Sequence, residues 1–400
     1  MAYAIVDAEL SEPLPCATLG PDDDGIALLL RSGGRPVYYG LHPLEPGVRL
    51  DGDALLALAG PELTVALAAQ ELRETLAPPP PPRPADVTAV VCTRDRATLL
   101  SRCLRSLRAL GDAAPPVLVV DNDPPDGATE ALAAQEGVRY VREPLAGLDF
   151  ARNRGLREAE SEFVAFIDDD TVVDRGWRAG LDEALAEHPD AGAVTGLVLP
   201  AELSTEAQVV FELRGGFRRG LRKLRYAGRR LAGNPLYPVG AGIFGAGCNM
   251  VLRRELVLEL GGFDEALDTG PPLPGGGDLD VFHRVLVAGS PLVYEPRMLV
   301  FHRHRPEHEA LRRQYWSWGD GFVAFLEKTY RADRTMRPKI RAMLLWWLGY
   351  AARNVVGTAL GRRPGSLDLP LAELGGGLAG LTGSYARSVR RADANRKRHG

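Results

Sequence analysis

From residue 87 to residue 167 the chain alternates two periodicities, and that alternation limits the folds open to it. The runs Val87-Thr88-Ala89-Val90-Val91-Cys92, Pro116-Val117-Leu118-Val119-Val120, Val138 to Arg142 and Phe163-Val164-Ala165-Phe166-Ile167 are short, apolar and β-rich. Between them, Ala97 to Leu110, Ala128 to Glu136 and Asp149 to Ala159 place apolar residues at helical spacing. Strands alternating with helices predict βαβ units. The expected fold is therefore α/β, with a mostly parallel sheet covered by helices on both faces. Ligands of such sheets lie beyond the carboxyl ends of the strands. Asp121 and Asp168 each follow an apolar strand directly, where that rule puts a site.

The run Pro78-Pro79-Pro80-Pro81-Pro82-Arg83-Pro84 marks the clearest boundary, because successive prolines fix φ and stiffen the chain into a spacer. Residues 1–77 read as a small α+β accessory module, 78–85 as a linker, 86–330 as the main α/β domain and 331–400 as a helical, basic extension. Module strands are expected at Ile26 to Leu30 and Pro36 to Tyr39, and a helix at Asp53 to Leu76. The tail Arg387 to Arg398 is expected to be a solvated or disordered end. The dispersed Cys16, Cys92, Cys103 and Cys248 lack any zinc spacing and read as small hydrophobes in a reducing compartment. A net charge of -4 gives no reason to expect nucleic acid as a partner. The N-terminus has no signal-peptide pattern, and no segment offers about 18 uninterrupted apolar residues. A cytoplasmic protein is expected, with contact to the inner face of a membrane left open for the basic C-terminal region.

Phe166-Ile167-Asp168-Asp169-Asp170 sets three carboxylates side by side. Their repulsion is costly unless a cation is shared, and a hard divalent ion takes carboxylate oxygens while leaving positions for a diphosphate. The plain alternative is a solvated acidic turn. Asp121 can accept from a nucleobase N–H or a ribose hydroxyl, or can open an Asx turn. Gly275-Gly276-Gly277 precede Asp278 near the start of a helix expected over Asp280 to Ala288. Asp278 is then either an N-cap or a base at the mouth of a pocket. In Phe301-His302-Arg303-His304-Arg305, His302 is a candidate metal ligand through neutral imidazole, and Arg303 and Arg305 are candidates for phosphate oxygens. Phe211 to Arg230 sets Arg214, Arg218, Arg219, Arg222, Lys223, Arg225, Arg229 and Arg230 against Glu212. It reads as a solvated basic helix or as a contact for an anionic acceptor or phospholipid headgroups. Tyr315-Trp316-Ser317-Trp318 and Trp346-Trp347 suit sugar stacking, a membrane interface or core packing.

In this order, the residues from about Asp86 to Tyr330 resemble the family 2 glycosyltransferases, which have the Rossmann-like GT-A fold. Val90-Val91-Cys92-Thr93-Arg94-Asp95-Arg96 is similar to that family's opening strand and nucleotide-binding loop, and Val119-Val120-Asp121-Asn122 to its base-contacting strand end. Ala151-Arg152-Asn153-Arg154-Gly155 resembles the helix before the metal motif, and Phe166 to Asp170 the DxD region itself. Gly245-Ala246-Gly247-Cys248-Asn249-Met250 resembles the acceptor-side loop, and Gly261-Gly262-Phe263-Asp264-Glu265 the segment after it. The resemblance implies that Thr93, Arg94 and Asp121 serve the nucleotide, and that Arg152 lies near the diphosphate. It implies Asp168 at ribose or sugar hydroxyls, Asp170 and His302 at a Mg or Mn ion with Asp169 between the two aspartates on the donor side, and Asp278 as general base. The implied reaction is inverting transfer from a nucleotide-diphosphate sugar to a glycan, lipid-linked or small-molecule hydroxyl. The family often has Glu-Asp where this chain has Gly277-Asp278, which puts the orientation of the acceptor in question. A non-catalytic nucleotide-sugar-binding protein is the alternative of another class. A nucleotidyltransferase would want a glycine-rich phosphate loop that Thr93-Arg94-Asp95-Arg96 lacks.

Overall fold

The computed structural model describes residues 1–76, 78, 80–81, 83–270, 273 and 275–399. Ala77, Pro79 and Pro82, at the expected linker and its boundary, lie outside the described residues. The N-terminal module holds β1 (Ala4–Glu9), β2 (Ala17–Thr18), β3 (Gly25–Ser32), β4 (Arg35–Pro43), β5 (Arg49–Leu50) and α1 (Gly52–Leu76). Its three-stranded sheet runs β1-β3-β4. Leu55, Ala59 and Leu63 of α1 are buried in one apolar cluster with Ile26, Leu28 and Leu30. The helix breaks at Gly60, which takes φ 56° and ψ -150° just before Pro61. By length and composition alone α1 could cross a membrane, although Glu62 interrupts its apolar run, so the expectation of no uninterrupted apolar segment of about 18 residues is not contradicted.

The main domain follows with β6 (Val87–Thr93), α2 (Ala97–Arg108), β7 (Val117–Asn122), α3 (Ala128–Glu136), β8 (Arg139–Glu143), α4 (Leu148–Glu158), β9 (Phe163–Ile167), β10 (Thr171–Val173), α5 (Trp177–Glu187), β11 (Ala193–Pro200), α6 (Glu206–Leu213), β12 (Leu224–Tyr226), β13 (Asn249–Arg253), α7 (Arg254–Glu259), α8 (Gly277–Val287) and β14 (Leu292–His302). These strands form one nine-stranded sheet in the order β10-β14-β11-β13-β9-β6-β7-β8, with β12 beside β14. The half made of β9, β6, β7 and β8 is parallel, as the alternation predicts. Beyond it β13 runs antiparallel to both β9 and β11, so the sheet is mixed.

The period of two along each strand sorts side chains to opposite faces. Val90, Leu118, Val120 and Phe166 pack with Ala151 and Leu156 of α4 and Val281 and Phe282 of α8. Ala89, Val91, Val119 and Ala165 pack with Leu100 and Leu104 of α2 and Trp177 and Leu181 of α5. Both faces are thus covered, and the carboxyl ends of β6, β7 and β9 open onto one edge.

The module is pinned to this domain. Leu29 shares a buried cluster with Leu197, Leu199 and Leu299, and Ala27 shares one with Leu203 and Val209. Arg31, itself held by Asp7, donates to Asp174 Oδ2 at 2.8 Å, and Arg35 pairs with Glu183.

The C-terminal extension is α9 (His308–Ala332), α10 (Arg337–Ala359), α11 (Asp368–Gly380) and α12 (Ser384–His399). Helices α9 and α11 approach backbone to backbone, because Gly319 and Gly376 have no side chain to hold them apart. Two sequence expectations fail. The tail is an ordered helix, since Ser388 and Ala392 give α12 a small buried face and Arg396 pairs with Glu265 outside it. The basic stretch from Phe211 to Arg230 is not a helix either, for α6 ends at Leu213. Arg218 goes to Glu212, Lys223 to Glu183, Glu187 and Glu295, and Arg225 to Asp190. Those cations are consumed in holding an irregular segment.

Candidate active site

The site is built on the carboxyl ends of three parallel strands. Thr93 ends β6 and is the register partner of Asp121 on β7. Thr93 Oγ1 donates to Asp169 Oδ2 at 2.7 Å, tying the β6 edge to the acidic run after β9. Asp121 is fully buried and accepts from Tyr140 at 3.1 Å, while its Oδ1 has no hydrogen-bond partner. Burial pushes the Asp121 carboxyl above its ordinary range, with Tyr140 and Thr129 pulling the other way. Arg94 points outward into an exposed pair with Asp123 at 2.6 Å.

The three aspartates differ in their surroundings. Asp168 is half-buried, and burial together with Asp170 raises its pKa. Asp169 is pushed up to about 6 by burial and by Asp170, against Arg96 and Thr93. Asp170 is buried too, yet His302, Arg305 and Arg96 hold it below the usual carboxylate range. His302 is the last residue of β14, which pairs with β10 so that His302 faces Thr171. Its Nε2 lies 3.3 Å from Asp170 Oδ1, an oxygen with no hydrogen-bond partner. One ligand atom each from Asp168, Asp170 and His302 falls within 4.8 Å of the others. Arg305 reaches Asp170 Oδ2 at 3.5 Å, whereas Arg303 turns away to Glu202.

A second charged cluster sits beside the first. Arg152 on α4 is buried, donates to Asp149 at 2.9 Å, and lies 3.4 Å from Asp268. The surrounding carboxylates of Asp149, Asp268, Asp168 and Asp278 outweigh its burial and hold it charged. Burial, then Asp268, lifts Asp149 well above its usual range, and burial against Asp278 lifts Asp268 to about 6. Asp278 is not the cap of α8. That position is Gly276, at φ 104°. Asp278 lies in the first helical turn, and its carboxylate accepts from Gly247 N–H at 3.0 Å and Leu279 N–H at 2.8 Å. The helix start therefore meets the loop carrying Gly247 through this side chain.

Gly277 looks different in this setting. A Cβ there would collide with the Asp149 carboxylate and come within 2.6 Å of Asp268 Oδ2. The space beside Asp278 is already occupied by two carboxylates from elsewhere in the chain, and Gly277 N–H donates to Asp268 at 2.9 Å. Asp268 adopts the left-handed conformation, φ 49°, rare for a residue with a side chain. Finally, Asp123, Pro144 and Ala146 face Arg391, Asn395 and Arg398 of α12 across a cleft of about 420 Å³.

The sequence reading missed Asp149, Asp268, Arg96, His304 and Glu212 as members of this site. Asp149 carried a signal, its i,i+3 spacing to Arg152 on a predicted helix. His304 carried one as well, two residues beyond His302. Asp268 had none, because its loop is shaped by α12 rather than by local sequence.

Residues 88–260 match the family model described as glycosyl transferase family 2. The pre-mycofactocin glycosyltransferases of two Mycobacterium tuberculosis strains are 32% identical over 291 residues, covering 71% of this chain and 56% of theirs. The chain thus spans little more than half the length of those relatives. The succinoglycan biosynthesis protein ExoM of Rhizobium meliloti is 32% identical over 232 residues, covering 55% of this chain and 67% of that protein. Among solved structures, the mannosyltransferase PcManGT from Pyrobaculum calidifontis, in complex with GDP-Man and Mn2+, aligns with a TM-score of 0.47 at 20% identity, over 83% of this chain and 91% of that one.

Proposed function

This chain belongs to the family 2 glycosyltransferases, and on that footing we propose that it moves a sugar from a nucleotide-diphosphate donor to an acceptor hydroxyl, with inversion at the anomeric carbon. The observation that carries the reading is the convergence of Asp168, Asp170 and His302 within 4.8 Å at the sheet edge that also bears Thr93 and Asp121. Two carboxylates and an imidazole suit Mg or Mn, and a buried carboxylate oxygen without a hydrogen-bond partner suits a metal ligand. When bound, the cation supplies Lewis-acid neutralisation of the leaving diphosphate.

In this reading Thr93, Arg94 and Asp121 hold the nucleoside end, while Arg96 and Arg152 add fixed positive charge near the diphosphate. Asp168 and Asp169 meet ribose or sugar hydroxyls. Asp278 accepts the proton of the acceptor hydroxyl. The oxygen forms its bond to the anomeric carbon as the carbon–oxygen bond to the diphosphate breaks, and the electron pair leaves with the diphosphate. Fixed donors from Gly247 and Leu279 keep the Asp278 carboxylate in one place, so the base is positioned before the acceptor arrives.

The acceptor in this reading is a glycan or lipid-linked molecule reached at a membrane surface. Between Asp333 and Asp368 the chain has no acidic residue but holds Arg334, Arg337, Lys339, Arg341, Arg353, Arg362 and Arg363. On the outer side of α10 and at its end, Leu345, Trp346, Val356 and the capping Leu360 are exposed, each at least half. Basic residues flanking an apolar, Trp-bearing stripe suit an anionic lipid surface.

A thermal-shift panel of UDP-, GDP- and dTDP-sugars tests the donor half. Stabilisation is expected only when Mg or Mn is present. Asp278→Asn should keep that shift and lose metal-dependent release of nucleotide from the donor by at least ~100-fold. Ordinary turnover by this variant would remove Asp278 from the mechanism.

A further inference from the structure

Behind His302 lies a chain of buried polar groups that the proposed reaction does not use. His302 Nδ1 is 3.1 Å from His304 Nδ1, and His304 Nε2 is 2.9 Å from Glu212 Oε1. The other Glu212 oxygen lies 3.1 Å from Arg218 Nε and accepts from the Tyr39 hydroxyl at 3.4 Å. The Arg218 guanidinium sits over the Tyr39 ring, 5.0 Å from its centroid. Tyr39 belongs to β4 of the N-terminal module, so the chain runs from the acidic run to another part of the molecule. His302, His304 and Glu212 are all at least nine-tenths buried. The rings of Phe211 and Phe217 close the sides, with centroids 4.7 Å and 5.8 Å from His304 and, for Phe217, 5.2 Å from His302.

We propose that His304 and Glu212 are positioning residues that fix the tautomer of His302, and that Tyr39 anchors this relay to the N-terminal module. The proposal rests on the reading of His302 as a metal ligand. The hydrogens can be followed one at a time. An ionised carboxylate only accepts, so His304 Nε2 carries its hydrogen toward Glu212. A neutral His304 then has a bare Nδ1, which accepts. Across 3.1 Å only one of the two Nδ1 atoms carries a hydrogen, so it is that of His302. His302 Nε2 then faces Asp170 Oδ1, 3.3 Å away, with its lone pair available to a cation. A bound cation would lie between that nitrogen and the carboxylate and supply the positive charge that Asp170 faces. Holding a ligating imidazole through its other nitrogen sets both ring orientation and donor strength.

The test uses the whole 400-residue chain and MnCl2 alone, without nucleotide. Mn2+ affinity is read by electron paramagnetic resonance and calorimetry, and thermal unfolding of each metal-free variant checks that it is folded. His304→Phe keeps the ring packing but offers no acceptor, and should weaken Mn2+ by ~10–100-fold. His304→Gln keeps an amide oxygen that can accept from His302 and should recover most of the loss, which a purely structural role would not predict. Tyr39→Phe, remote from the cation, should weaken Mn2+ by a smaller factor. If folded His304→Phe binds Mn2+ like the wild type, the relay is overturned. If the wild type takes up no Mn2+, the metal reading fails instead, and 15N imidazole spectra of the metal-free protein then decide the relay. Hydrogen on Nδ1 of His302 supports it, and a bare Nδ1 overturns it.

Discussion

At position 277 a methyl group has nowhere to go. The Asp149 and Asp268 carboxylates fill the direction a Cβ would take, and both are fixed to Arg152. Gly277→Ala should therefore lower stability by about 1–3 kcal/mol, as overpacking does. Urea unfolding monitored by circular dichroism measures it, and a cost near zero would mean that the two carboxylates are free to move. Single residues also show how far the sequence could be read. Asp121, Asp168 and Asp278 were legible because each follows a strand or opens a helix, positions that local periodicity locates. Asp268 was not, since its carboxylate reaches Gly277 only through a left-handed backbone turn. Asp278 was legible as a residue, but its place inside the first turn of α8 was not, because its carboxylate is held by the N–H of Gly247, thirty-one positions away in the chain.

Among the elements, α12 departs furthest from its sequence. A run of Arg and Lys looked like a solvated end, but Ser388, Ala392 and Asn395 are what the fold uses. Ser388 bonds with Thr269 at 2.9 Å, Tyr385 donates to Asp264 at 2.8 Å, Asn395 donates to Ala146 O at 3.2 Å, and Arg396 donates to Glu265 at 3.0 Å. Short polar side chains carry little periodic signal, so this docking was invisible beforehand. The helix braces the loop that presents Asp268. Removing residues 384–400 should speed hydrogen exchange across 264–270 while leaving Val87–Thr93 protected, as mass spectrometry of peptic fragments would show. Unchanged exchange in that loop would mean that it is held by α4 and α8 alone. The antiparallel β13 was missed for a related reason. Its own residues do not encode which strand will lie beside them, whereas the parallel half followed from short-range βαβ chirality.

For the molecule as a whole, the reading joins a charged site on one edge of the sheet to a basic, apolar surface on the C-terminal helices. The whole chain should float with phosphatidylcholine vesicles containing a third phosphatidylglycerol and stay behind with phosphatidylcholine alone. Trp346→Glu should abolish flotation without changing the donor-dependent thermal shift. Failure of the wild type to float with either vesicle would remove the membrane from the acceptor reading. The order of strands in the sheet carries a further consequence, one of timing. Strands β6, β7, β8 and β9 lie close in sequence and are joined each to the next by a single α-helix, so they can assemble soon after they leave the ribosome. β11, β13 and β14 must each be added across longer separations, and β14 brings His302. In the proposed reading, a growing chain thus owns the strand ends assigned to the nucleotide well before it owns all three proposed cation ligands. Until the last strand is in place, the emerging protein can form a sheet but lacks His302, the third of the ligands proposed for the cation.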